Sequence, residues 1–101
     1  MFTLHKLNLH VHNFLCELKD NHFHIKKVIL FGSYAQGNVH QNSDIDLAIW
    51  ADEFDEKTTN SEKLLSIISK FYPIQPKLYH SDEHDDPFIE LIEKTGREIE
   101  F

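Results

Sequence analysis

Two aspartates one residue apart, Asp44 and Asp46, follow a Gly32-Ser33 pair after ten intervening residues, and this spacing is the strongest chemical signal in the chain. Side-by-side aspartates repel each other unless a cation lies between them, and hard oxygen donors select magnesium or manganese over zinc. Gly32 closes the apolar run Val28-Ile29-Leu30-Phe31, where a residue without a side chain lets the backbone turn sharply and come close to a ligand. From Ser33 to Gln36 a short helix can begin. Its unpaired N–H groups and positive end would meet a phosphate, with the Ser33 hydroxyl as a further donor. The combination suits a triphosphate held on metal ions. Each half is common by chance: Gly32 to Gly37 alone could be an ordinary turn, and the two aspartates alone could simply cap a strand.

The elements needed to position these residues can be read from periodicity. Val28 to Phe31 fits a strand buried on both faces, and Leu47-Ala48-Ile49-Trp50 a second one. Asp44 and Asp46 are expected on that second strand, where residues two apart share a face. Leu4, Leu7, Val11, Phe14, Leu15 and Leu18 recur at helical steps and predict a helix from about Thr3 to Lys19, ended by Asp20-Asn21. Thr58-Thr59-Asn60-Ser61 supplies caps ahead of a helix over Glu62 to Phe71, which Pro73 stops. Ile74 to Tyr79 is a third strand, and Pro76 within it argues for an edge or a bulge, since proline donates no ladder hydrogen bond. Asp86-Pro87 predicts the start of a last helix over Phe88 to Lys94, closed by Gly96, and Arg97 to Phe101 alternates as a short strand would. The expected fold is α/β (α+β), a small mixed sheet with helices packed against it.

With the Gly-Ser pair, the spacer of about ten and the Asp-x-Asp in place, the chain resembles the minimal nucleotidyltransferases of the DNA polymerase beta superfamily. The likeness extends from the leading helix to Gly96-Arg97-Glu98-Ile99. It implies that Gly32 and Ser33 hold the phosphates, and that Asp44 and Asp46 bind Mg2+ or Mn2+ while a hydroxyl attacks the α-phosphorus and pyrophosphate leaves. Small members of this family are often antitoxins paired with a HEPN-domain toxin. The resemblance therefore implies transfer of AMP from ATP to a hydroxyl of such a partner, or of a small molecule. In the family a third carboxylate on the next strand completes the metal site. Here the matching position in Ile74-Gln75-Pro76 holds Gln75, an amide that can offer an oxygen but cannot take up a proton. Either the site is weakened, or one of the later acids Asp82, Glu83, Asp85 and Asp86 serves instead. A protein acting on its partner by contact alone is the competing reading.

At 101 residues the chain has room for one domain over 1–101 and none for a separate substrate domain. A formal charge of −7 disfavours long nucleic acid as a ligand, because backbone affinity comes from lysine and arginine. No apolar run is long enough for a membrane and no signal-peptide pattern is present, so a cytoplasmic protein is expected. Asp52-Glu53-Phe54-Asp55-Glu56 reads as a solvated loop, or as a contact surface for a basic partner. The single cysteine, Cys16, cannot form an internal disulfide and reads as packing. His10 and His12 would point about 200° apart on a helix and cannot share one ion, and His22 and His24 lack a third ligand. His40 could touch a ligand from the spacer loop. Tyr34 could flank a nucleotide or pack the short helix, and Trp50 reads as core.

Overall fold

A computed structural model of the chain describes residues 4–37, 39, 43–55 and 61–101. The elements run α1 (Leu4–Asp20), β1 (Ile25–Phe31), α2 (Ser33–Gln36), β2 (Ile45–Ala51), α3 (Glu62–Lys70), β3 (Ile74–His80), α4 (Pro87–Thr95) and β4 (Arg97–Glu98). Thr3, His40, Glu56, the Thr58-Thr59-Asn60 part of the expected cap and the side chain of Leu4 lie outside the described residues.

The sheet has the order β3-β2-β1-β4. β1 pairs antiparallel with β2 and β4, whereas β2 and β3 run parallel. A parallel pair needs a crossover, and α3 lies in it. Pro76 sits on the edge strand β3, as its missing donor requires.

Alternation along β2 divides the molecule into two layers. Ile45, Leu47, Ile49 and Ala51 belong to the larger core, which they share with Leu7, Val11, Phe14, Leu15 and Leu18 of α1 and Leu64 and Ile67 of α3. On the opposite face Ala48 and Trp50 join Ile29, Tyr79 and the α4 residues Ile89 and Ile92 in a smaller cluster, with Phe31 packed against it. Trp50 stacks on Tyr79 with ring centroids 5.1 Å apart, and its indole N–H donates to the Glu83 carbonyl at 3.0 Å. β2 is thus apolar on both sides, and Asp46 is the polar residue at its start.

The ends of the helices follow local chemistry. Ser61 caps α3 by accepting from the Leu64 amide, and Asp86 caps α4 by accepting from the Phe88 amide, with Pro87 in the first turn. α1 ends in a left-handed turn at His22, φ 70°, where the Phe23 amide reaches the Leu18 carbonyl and the His22 amide the Lys19 carbonyl. This is the paired bonding of a Schellman motif, with histidine where glycine is usual.

Two other expectations resolve here. Tyr34 packs against the larger core. In the acidic stretch after β2, Phe54 is buried, Glu53 bonds both the backbone amide and the ring of His24, and Asp52 lies 3.7 Å from Lys26.

Candidate functional site

The geometry of the site starts from one contact. Gly32 has φ 73° and ψ −150°, a conformation open to glycine and strained for other residues. A Cβ placed on it would collide with the Asp46 carboxylate, lying 3.2 Å from its Cγ. Phe31 and Asp46 are opposed in the β1–β2 ladder, so the turn after β1 closes directly over the start of β2. The glycine therefore lets backbone and carboxylate share one small space. The Gly32 carbonyl accepts from the Ala35 and Gln36 amides at 3.1 Å each, which sets up α2. The earlier amides of a helix have no carbonyl of their own helix to bond.

Asp44 lies one residue ahead of β2 rather than on it, because the strand begins at Ile45. The pair still acts together. Burial pushes the Asp46 carboxyl above the usual carboxylate range, and the nearby charge of Asp44 pushes it further. Asp46 is half-buried and Asp44 exposed. Two carboxylates that resist sharing negative charge, with oxygen as their only donor atom, fit a magnesium-like or manganese-like ion.

In the parallel ladder Asp46 is opposite Gln75, so an exposed amide side chain neighbours the carboxylate on the same face. The later acids do not substitute for it. Asp46 and Gln75 lie near the beginning of β2 and β3, whereas Asp82, Glu83, Asp85 and Asp86 follow His80 at the far end of β3. Gln75 and His80 are five residue steps apart along β3, about 16 Å at the usual rise per residue. Those acids have local roles there: Asp86 caps α4, and the Glu83 carboxylate accepts from the Asp85 amide at 3.0 Å. No grouping of three or more histidine, cysteine or acidic side chains suited to a metal is found among the described residues. His10 bonds the Phe71 carbonyl at 2.9 Å, in keeping with a packing role.

Sequence reasoning missed two neighbours of the site. Phe88, in the first turn of α4, makes an edge contact with Phe31, ring centroids 5.8 Å apart, and the Lys77 ammonium lies 4.9 Å from its ring centre. Phe31 and Lys77 are the ladder neighbours of Asp46 and Ala48, so Phe88 reaches over the strand that carries the carboxylate. The cap and closing residues of α4 foretold a helix over Phe88 to Lys94 but not this reach.

A mixed sheet that brings a glycine turn against one of two neighbouring carboxylates offers the oxygen donors and the close backbone approach that a divalent ion and a phosphate would need. The family described as "Polymerase beta, Nucleotidyltransferase" matches residues 13–100. The chain belongs to this family.

Relatives agree. The protein from Methanocaldococcus jannaschii named "Putative protein adenylyltransferase MJ0141" is 32% identical over 87 residues, 81% of this chain and 83% of that protein. "Protein adenylyltransferase MntA" of Shewanella oneidensis is 53% identical over 34 residues, 34% of this chain and 24% of MntA. The matched segment therefore spans about a quarter of MntA. Among solved structures, a toxin–antitoxin crystallised with AMP-PNP superposes with a TM-score of 0.62 at 24% identity, covering 90% of this chain and 70% of that one. A mutant of the MntA–HpeT toxin–antitoxin gives 0.60 at 23%, covering 86% and 69%. These structures establish the fold. No helix among the described residues is long and apolar enough to cross a membrane.

Proposed function

We propose that residues 1–101 act as one nucleotidyltransferase-like domain that transfers AMP from ATP to a hydroxyl of a partner protein, as the antitoxin of a HEPN-type toxin. The observation that carries this reading is the packing of Asp46 against Gly32, with Asp44 close enough to raise its proton affinity. The name of the S. oneidensis relative and the toxin–antitoxin titles of the structural matches support it.

In this reading Gly32 and Ser33 hold the phosphates, and Asp44 and Asp46 bind Mg2+ or Mn2+. The ion supplies charge neutralisation at the α-phosphoryl group and on the departing pyrophosphate. A bond forms from the acceptor oxygen to the α-phosphorus as the bond to pyrophosphate breaks. Gln75 aids neither step by charge, and its amide does not take up the acceptor's proton near neutral pH. A small molecule with a hydroxyl is an alternative acceptor. Long nucleic acid is disfavoured by the charge of −7. Reliance on ATP and free magnesium places the work in the cytoplasm.

A second reading rests on Gln75 lying beside Asp46: a protein that keeps metal-nucleotide affinity but controls its partner by contact. One experiment separates the two. The chain is incubated with magnesium, labelled ATP and the candidate toxin. Labelling of the toxin that disappears in Asp44→Ala supports the enzyme, and labelling that survives in Asp44→Ala refutes the assigned metal site. A stable complex without labelling supports the binding protein.

A further inference from the structure

Beside the Gly32 turn, on the α4 face of the sheet, lies a cavity of about 230 Å³ walled by Phe31, Phe88, Leu91 and Ile92, with Gly32, Gln36 and Thr95 on its lining. Phe88 and Leu91 are 39% and 52% exposed, a large apolar opening for a chain of this size. Pockets that enclose whole drug-sized ligands are roughly 300–1,000 Å³, so this one suits a fragment of a nucleotide rather than all of it.

We infer that the cavity receives the base of the nucleoside triphosphate, an inference that rests on the nucleotide reading above. Continuity carries it. Gly32 belongs both to this lining and to the contact with Asp46, so phosphates held at the turn leave the rest of the nucleotide at the mouth of the cavity. The walls have the right chemistry. Phe31 and Phe88 meet edge to face, 81° between their planes, and such aromatic surfaces stack bases with little regard to sequence. Polar side chains able to read base edges are few. The Thr95 hydroxyl donates to the Leu91 carbonyl at 2.8 Å, which leaves the Gln36 amide as the lining group with both a donor and an acceptor to offer. An amide that can rotate accepts either edge pattern. The cavity therefore favours nucleotides over bare polyphosphate and separates ATP from GTP only weakly.

The test compares two ligands by calorimetry in magnesium, ATP and inorganic tripolyphosphate, on the full chain and on two variants. Leu91→Ala removes a half-exposed wall, and Thr95→Phe fills the space from the exposed end of α4. The expected result is an ATP affinity about tenfold lower in both variants, with tripolyphosphate unchanged and GTP within about tenfold of ATP in the unaltered chain. Equal losses for ATP and tripolyphosphate would overturn the inference, as would ATP affinity unchanged in both variants. Unchanged ATP affinity with lost labelling of a partner would overturn it in favour of the acceptor side chain as occupant. Binding of tripolyphosphate but no preference for ATP in the unaltered chain would remove the base site and keep the phosphate site. Binding of neither ligand would remove the nucleotide reading itself.

Discussion

Replacing Gly32 by alanine probes the central contact without any assumption about catalysis. At φ 73° and ψ −150° a residue with a side chain suffers backbone strain, which costs about 1–3 kcal/mol. The added methyl also meets the Asp46 carboxylate, which must swing away. Adding about 1 kcal/mol for that displacement gives a total of roughly 2–4 kcal/mol, a large share of the 5–15 kcal/mol typical of a domain. For a domain of about 100 residues this lowers the Tm by roughly 10–25 °C. Thermal unfolding followed by circular dichroism measures it. The two contributions separate in an Asp46→Ala background, because the Asp46 Cβ is 3.4 Å from the new methyl and only ordinary contact remains. There the same substitution should cost about 1 kcal/mol less, since residues in contact are not additive. A Gly32→Ala chain within about 0.5 kcal/mol of the original would refute the backbone reasoning. An equal cost in both backgrounds would refute the placement of Asp46 under the turn.

Asp46→Asn should change how stability depends on pH. The native carboxyl binds its proton more tightly than the unfolded one, so its contribution is present below the ordinary aspartate range and lost as pH rises through the elevated native value. The variant should therefore lack that loss and be at least as stable as the original near neutral pH without metal, while losing its stabilisation by magnesium. Chemical unfolding at pH 4 and pH 7 measures both, and a variant less stable at pH 7 alone would contradict the sign. Gln75→Glu should tighten Mn2+ binding in calorimetric titrations, because it adds a charge beside Asp46 on the same face. No change would mean that position 75 does not reach the ion. His22→Gly should raise stability by about 0.5–1 kcal/mol in urea unfolding, since it relieves a left-handed residue at the end of α1 while leaving the Leu18 and Lys19 carbonyls bonded. A loss of stability would show that the imidazole makes a compensating contact.

The sequence disclosed elements wherever local chemistry decides them. The α1 stripe, the Ser61 and Asp86 caps, and Pro76 on an edge all follow from residue type and spacing, and the structure agrees. What it could not disclose depends on sheet register. Asp44 and Asp46 were legible as a pair, but that Asp46 lies beneath Gly32 follows from Phe31 opposing Asp46 across β1 and β2. The acids after β3 looked available because proximity in sequence hides the direction of a strand, and the parallel ladder carries them to the far end of the sheet. Phe54 escaped notice because its acidic neighbours gave the stretch a polar average, although burial is decided side chain by side chain. Phe88 was legible as the start of a helix but not as a partner of Phe31, since the crossing of α4 over the sheet leaves no local trace.

The register also sharpens what the amide at position 75 does. If Gln75 lay elsewhere, the site would simply be a pair of aspartates awaiting an acid from a loop. Because it sits opposite Asp46, the place beside the proposed metal ligands holds a side chain that offers oxygen without charge. Two carboxylates balance one divalent ion, and a second ion would have to draw its neutralising charge from the nucleotide. The nucleotide brings that charge as phosphate, so occupancy by metal should rise when ATP is added, more steeply than in a site with three acids. Titration of Mn2+ with and without a nonhydrolysable ATP analogue should thus give a larger gain in affinity for the original chain than for Gln75→Glu. Equal gains would show that charge at position 75 does not set the order in which metal and nucleotide bind.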